Sequence, residues 1–145
     1  MRAVIQRVNK SQVIIDETVK AAIQHGLVIL LGIEKGDNRD KADHLAKKIT
    51  NMRIFGDKEG KMNLSLIDID GKAIVVSQFT LMADTRKGNR PSFIHAAPPD
   101  IASPLVDYFI QRMKTYGVET QSGEFAAHML VEIHNDGPVT ILMDI

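Results

Sequence analysis

Apolar and polar positions alternate loosely from Arg2 to Val13, with Ala3, Ile5, Val8 and Val13 apolar among Arg2, Arg7, Asn9 and Lys10, which predicts a half-buried strand. Gly26-Leu27-Val28-Ile29-Leu30-Leu31-Gly32-Ile33 is a continuous β-rich run and predicts a strand buried on both faces. From Asp40 the period changes. Ala42, Leu45, Ala46, Ile49 and Met52 recur three and four residues apart, on one face of a helix that Asp37, Asn38 or Asp40 can cap. Ile54-Phe55 reads as a strand end entering the turn Gly56 to Gly60, and Lys72 to Phe79 as another central strand built on Ala73-Ile74-Val75-Val76.

Ala83 to Pro99 is irregular and holds three of the five prolines, so it reads as a long loop that carries function. A second helix is expected to begin near Ser103-Pro104, to bury Leu105, Val106, Phe109, Ile110 and Met113, and to end around Tyr116-Gly117. Phe125 to Ile133 alternates as a strand and Val139 to Met143 is a short apolar run, with Gly137-Pro138 between them. The expected fold class is α/β: a single compact domain over residues 1–145, with a curved, mostly antiparallel, barrel-like sheet and two amphipathic helices.

Composition narrows the chemistry. Eighteen basic residues balance eighteen acidic ones, which argues against a broad electrostatic grip on nucleic acid but leaves room for a small footprint on one RNA end. Cysteine is absent, which removes disulfides, thiolate nucleophiles and cysteine metal sites. The longest apolar stretch stops at Glu34, short of the roughly 18 residues of a membrane span, and no leader pattern opens the chain, so a cytoplasmic protein is expected. GxGxxG, the phosphate-binding GxxxxGKS/T, HExxH and the GxSxG elbow are missing, and the five histidines have no short ligand spacing. Neither metal nor cofactor is expected.

Ser77-Gln78-Phe79-Thr80-Leu81 sits where a buried strand runs into a loop, a place where main-chain amides lose their ladder partners and can face a ligand. The bland reading is a strand end with Phe79 and Leu81 in the core. Thr80 is a poor nucleophile without a base, and the motif contains none; a threonine esterase would need His95 or His134 to supply it. Gly137-Pro138 reads by itself as an ordinary turn, since only ~5% of X-Pro bonds are cis.

Together, Ser77-Gln78-Phe79-Thr80-Leu81 and Asn135-Asp136-Gly137-Pro138-Val139-Thr140 resemble the two motifs of the D-aminoacyl-tRNA deacylases. The resemblance extends to Met1 to Val8, Gly60 to Leu64, Gly88 to Phe93 and Gly123 to Ala127, and its one departure is His128, where an acidic residue is expected. It implies a homodimer with active sites at the subunit interface, the 3′ end of an aminoacyl-tRNA as substrate, and hydrolysis of its ester when the amino acid is D or glycine. It also implies that Gly137-Pro138 is cis and enters the partner's pocket, with Arg7 holding that loop and the 77–81 segment as the opposite wall.

On this reading the Phe79 and Thr80 amides form an oxyanion hole, each donor contributing on the order of 3 kcal/mol, with Gln78 beside them. Ser77, Phe93 and Met129 are expected to contact substrate, and Arg86, Lys87 and Arg90 to meet phosphates at the tRNA end. A non-catalytic RNA-end binding module on the same fold is the competing reading.

Overall fold

The computed structural model describes residues 1–145. The elements follow in the order β1 (Arg2–Ile15), β2 (Thr18–Ile23), β3 (Gly26–Gly32), α1 (Arg39–Thr50), β4 (Phe55–Gly56), β5 (Met62–Leu64), β6 (Lys72–Ser77), a 3-10 turn (Phe79–Met82), α2 (Pro99–Thr115), β7 (Thr120–Ser122) and β8 (Leu130–Asp144).

β1 is long enough to serve two neighbours on one side. Its first half pairs antiparallel with β3 and its second half with β2, while β8 runs antiparallel along its other edge. β3 then pairs parallel with β6, and β6 parallel with β7. The sheet is therefore mixed, and it curls until the Ala22 N–H of β2 reaches the Gln121 side chain of β7 at 2.9 Å, nearly closing a barrel.

Alternation along the strands feeds two cores. Val28, Ile74 and Val76 point into the barrel with Val8, Val13 and Ile23, whereas Leu27, Ile29, Leu31, Ala73 and Val75 point to the other face under α1 and α2. This double burial is why β3 reads as an unbroken apolar run. Gly26 is required by the β3–β6 pairing, because a Cβ there would lie 1.9 Å from the Lys72 carbonyl oxygen.

α1 matches the expected periodicity and buries Ala42, Leu45, Ala46 and Ile49. Of the three candidate caps it is Asn38 that closes the helix, its Oδ1 accepting from the Lys41 N–H at 3.1 Å. Asp37 is buried instead and accepts from the Met1 amine, the Lys41 ammonium and the Glu34 N–H.

Three expectations are corrected. α2 starts at Pro99, ahead of Ser103-Pro104: Pro99 takes the first helical position, where a missing N–H costs nothing, and Pro104 lies within the helix. Residues Leu130 to Asp144 form one strand instead of two separated by a turn, because two register shifts against β1 absorb the Gly137-Pro138 step. Residues 125–129 lie before that strand, as an irregular segment with Ala126 at φ +62°.

Candidate functional site

β6 delivers the first half of the site. Its ladder ends as the Gln78 N–H donates to the Leu31 carbonyl at 2.8 Å; the backbone then winds into the 3-10 turn, where Leu81 N–H donates to Gln78 O at 3.2 Å and Ala83 N–H to Thr80 O at 3.1 Å. Phe79 and Thr80 take the first two positions of this turn, whose N–H groups have no carbonyl partner within the turn itself. Thr80 Oγ1 accepts from Gln78 Nε2 at 2.5 Å, so the hydroxyl is tied to an amide and not to a histidine.

The turn opens onto a cleft of about 650 Å³ lined mostly by apolar side chains. Ser77, Gln78 and Phe79 form one side, the first turn of α2 contributes Pro99 and Ala102, and the 125–129 segment closes the far wall with Phe125 and Met129. Phe79, 55% exposed, meets Phe93 edge to face with ring centroids 5.1 Å apart at the rim. Five of the expected residues (Ser77, Gln78, Phe79, Phe93 and Met129) therefore line one cavity, with Thr80 attached through Gln78. His128, the departure from the family pattern, also lines it.

The loop after the turn is closed by reciprocal main-chain bonds between Asp84 and Ser92, at 2.7 and 2.9 Å. Arg86 is occupied there. Its guanidinium donates to both Asp84 carboxylate oxygens, at 2.9 and 2.6 Å, and these bonds, with the Arg86 N–H, hold the Asp84 carboxyl far below the usual range. Lys87 and Arg90 are exposed.

Arg7, Gly137 and Pro138 form a second cluster. Arg7 lies against Asp136, with Nε 2.9 Å from Oδ2, and donates through Nη1 to the Ile54 carbonyl at 2.6 Å. Asn135 spans the step: its Oδ1 accepts from the Val139 N–H and its Nδ2 donates to Thr140 Oγ1, both at 2.9 Å. Gly137 has φ +119°, in the region that favours glycine, and the Gly137-Pro138 bond is cis. Both residues are exposed.

The two clusters do not meet within one chain. Ser77 is level with Leu31 and hence Ala3, Gly137 falls between the Val8 and Gln6 rungs, and β3 and β1 stand between β6 and β8. None of Arg7, Gly137 and Pro138 borders the cleft; Arg7 and Asp136 line a separate small depression with His25 and Phe55.

Residues 4–144 match the model of the D-Tyr-tRNA(Tyr) deacylase family. The chain belongs to this deacylase family. A D-aminoacyl-tRNA deacylase of Fervidobacterium nodosum is 53% identical over 99% of this chain and 97% of its own length, and one of a Roseiflexus species 56% identical over 99% and 93%. Among solved structures, a c-Myc DNA unwinding element binding protein superposes with a TM-score of 0.93 at 36% identity, covering 99% of this chain and 98% of that one. A probable eukaryotic D-amino acid tRNA deacylase has the same fold, with a TM-score of 0.83 at 17% identity.

The wall residues Ala97 and Ala102, just before and within the first turn of α2, are among those the chain by itself did not single out. Small apolar residues at a helix start carry no signal beyond packing. Only the docking of α2 beside the turn gives them a cavity to line.

Proposed function

We propose that this chain hydrolyses the ester linking a D-amino acid to the terminal ribose of tRNA, using main-chain amides in place of a catalytic side chain. The observation that carries the reading is the 3-10 turn at the mouth of the cleft, which begins at Phe79 and Thr80 where their N–H groups lack partners in the turn.

The chemistry follows from where charge develops. Water adds to the ester carbonyl carbon, and the oxygen becomes an alkoxide that the Phe79 and Thr80 N–H groups stabilise. The carbon–oxygen bond to the ribose then breaks, the ribose oxygen takes up a proton, and free amino acid and intact tRNA leave. Fixed donors need no reorganisation as the charge appears. The neighbouring ribose 2′-hydroxyl, both donor and acceptor, orients the attacking water. Thr80 Oγ1 is hydrogen-bonded to Gln78, which favours an auxiliary role for both side chains and not a covalent one. The step as written requires no cofactor.

The apolar cleft receives the terminal nucleoside and the amino acid, with Ser77, Phe93 and Met129 against the substrate. Chirality is sorted by a second copy of the chain. Gly137 and Pro138 are exposed and do not border the cleft of their own chain, which supports a homodimer in which this step of one protomer closes the cleft of its partner. Rigid main chain at that place leaves room for hydrogen but not for a side chain, which admits D-residues and glycine and rejects L-residues. The enzyme acts in the cytoplasm, where aminoacyl-tRNA is made and used; no helix is long and apolar enough to cross a membrane.

Matched D- and L-aminoacyl-tRNA, followed by release of free amino acid, test the reading. D-aminoacyl and glycyl esters are cleaved and L-aminoacyl esters spared, and a 2′-deoxy terminal adenosine slows the reaction. Cleavage of the L-ester at a comparable rate removes the wall, and full-rate cleavage of the deoxy substrate removes the hydroxyl.

A further inference from the structure

We propose that Arg2 is a positioning residue for this hydrolysis, acting through the Leu81 carbonyl to hold the turn that presents the Phe79 and Thr80 amides. The inference rests on the reading of that turn given above.

The turn is gripped from two sides. On the inner side Gln78 N–H bonds to Leu31 O, and Gly32 leaves the space into which the turn settles: a Cβ there would lie 2.8 Å from Met82 Cε and 3.1 Å from both Gln78 O and Leu81 Cβ. On the other, Arg2 donates through Nη1 to the Leu81 carbonyl. Arg2 is the register partner of Gly32 in β3 and of Asp144 in β8, so the three positions form one rung of the sheet. Asp144 in turn aims the guanidinium, its Oδ2 accepting from Nε at 3.0 Å and from the second terminal nitrogen at 2.7 Å.

Leu81 lies at the end of the turn, where a carbonyl has no N–H partner from the next turn. The planar guanidinium fills that vacancy while remaining paired to Asp144, a double duty that a lysine ammonium, a single point charge, cannot match. A pair this exposed, 31% for Arg2 and 53% for Asp144, adds little to stability. Geometry is what it controls. Oxyanion donors act only when held close to the position the developing charge will occupy, and an end of the turn left loose moves the amides at its start.

The test uses the whole chain with D-aminoacyl-tRNA and four variants. Arg2→Met is expected to lower kcat roughly tenfold or more with KM little changed, the signature of misplaced transition-state donors. The melting temperature stays within a few degrees of the parent. Arg2→Lys recovers part of the loss, and Asp144→Asn shows a smaller loss of the same kind. Gly32→Ala displaces the turn by an independent route. If Gly32→Ala lowers kcat and Arg2→Met does not, the role of Arg2 is overturned while the reading of the turn stands. If neither changes kcat, both are overturned. A loss in Arg2→Met that follows a fall in melting temperature, without rescue by lysine, assigns Arg2 a merely structural part and also overturns the proposal.

Discussion

Arg7 and Asp136 face each other across the β1–β8 ladder with Nε 2.9 Å from Oδ2, and the same guanidinium donates to the Ile54 carbonyl. The Nε–H is not aimed at the carboxylate, so this contact is Coulombic, while the bond to Ile54 is directional. Arg7 thus ties the strand carrying Gly137-Pro138 to the segment leading into β4. Its side chain is 13% exposed, so Arg7→Met leaves Asp136 and the Ile54 carbonyl short of partners and should cost about 2 kcal/mol in urea unfolding. Discrimination between D- and L-esters should weaken in the same variant; selectivity unchanged at lower stability would remove Arg7 from the wall.

Thr80→Val tests whether the hydroxyl is a nucleophile. It removes the acceptor of the Gln78 Nε2 bond but leaves the main-chain N–H in place. Activity should fall modestly and no acyl-enzyme should be trapped. A loss on the order of 10⁴-fold or more, the scale of nucleophile removal, would restore the covalent reading.

Gly26→Ala should be among the most damaging single substitutions. The added carbon would stand 1.9 Å from the Lys72 carbonyl oxygen, an atom of a paired strand that cannot step aside. A loss of about 3 kcal/mol or more is expected in denaturant unfolding, measured against the same change at exposed Gly56, where an added Cβ meets nothing within 4 Å and the backbone is not in the left-handed region.

Asp37 sets part of the acid limit of stability. Burial pushes its carboxyl up, but hydrogen bonds from the Met1 amine, the Glu34 N–H and Lys41 outweigh this and hold it below its ordinary value. Such a group stabilises the fold fully above the unfolded-state pKa of about 3.9 and loses that contribution as pH falls through the lower folded value. The stability gap between the parent and Asp37→Asn should be widest near neutrality and close as the pH drops below about 4. A gap independent of pH would show that the carboxylate's charge contributes nothing.

Within the 84–92 loop, Lys87 and Arg90 are exposed and outside any ion pair, whereas Arg86 is paired with Asp84, so under the proposed function the phosphate contacts of this loop fall first to Lys87 and Arg90. Reversing both to glutamate should weaken tRNA binding more at low salt than at high, flattening the salt dependence by about one unit for each phosphate that is no longer neutralised. Reversal of Arg86 should instead loosen the 84–92 loop. An equal loss at all salt concentrations would point to folding.

Much of the fold was legible along the chain wherever one residue's burial is decided by its neighbours in sequence. The α1 stripe and the β3 run were both of this kind. β2 was not, because its hairpin turns through Asp16 and Glu17, both at positive φ, without the glycine or asparagine that usually marks such a turn. β7 is three residues long and gains its identity only from parallel pairing with β6, a partner more than forty positions away.

The same division holds for the site. The chain by itself determined the chemistry on offer: a strand-to-turn transition at Ser77 to Leu81, a glycine–proline step, no thiol, and two motifs that together indicate the deacylase family. Tertiary structure alone decided that Phe93, Met129 and Ala102 share a cavity with Phe79, and that Gly137-Pro138 does not border the cleft of its own chain. The reason is physical: periodicity reports which face of an element is buried, whereas a cavity and the distance across a sheet depend on strand order and register, which no local stretch of residues encodes.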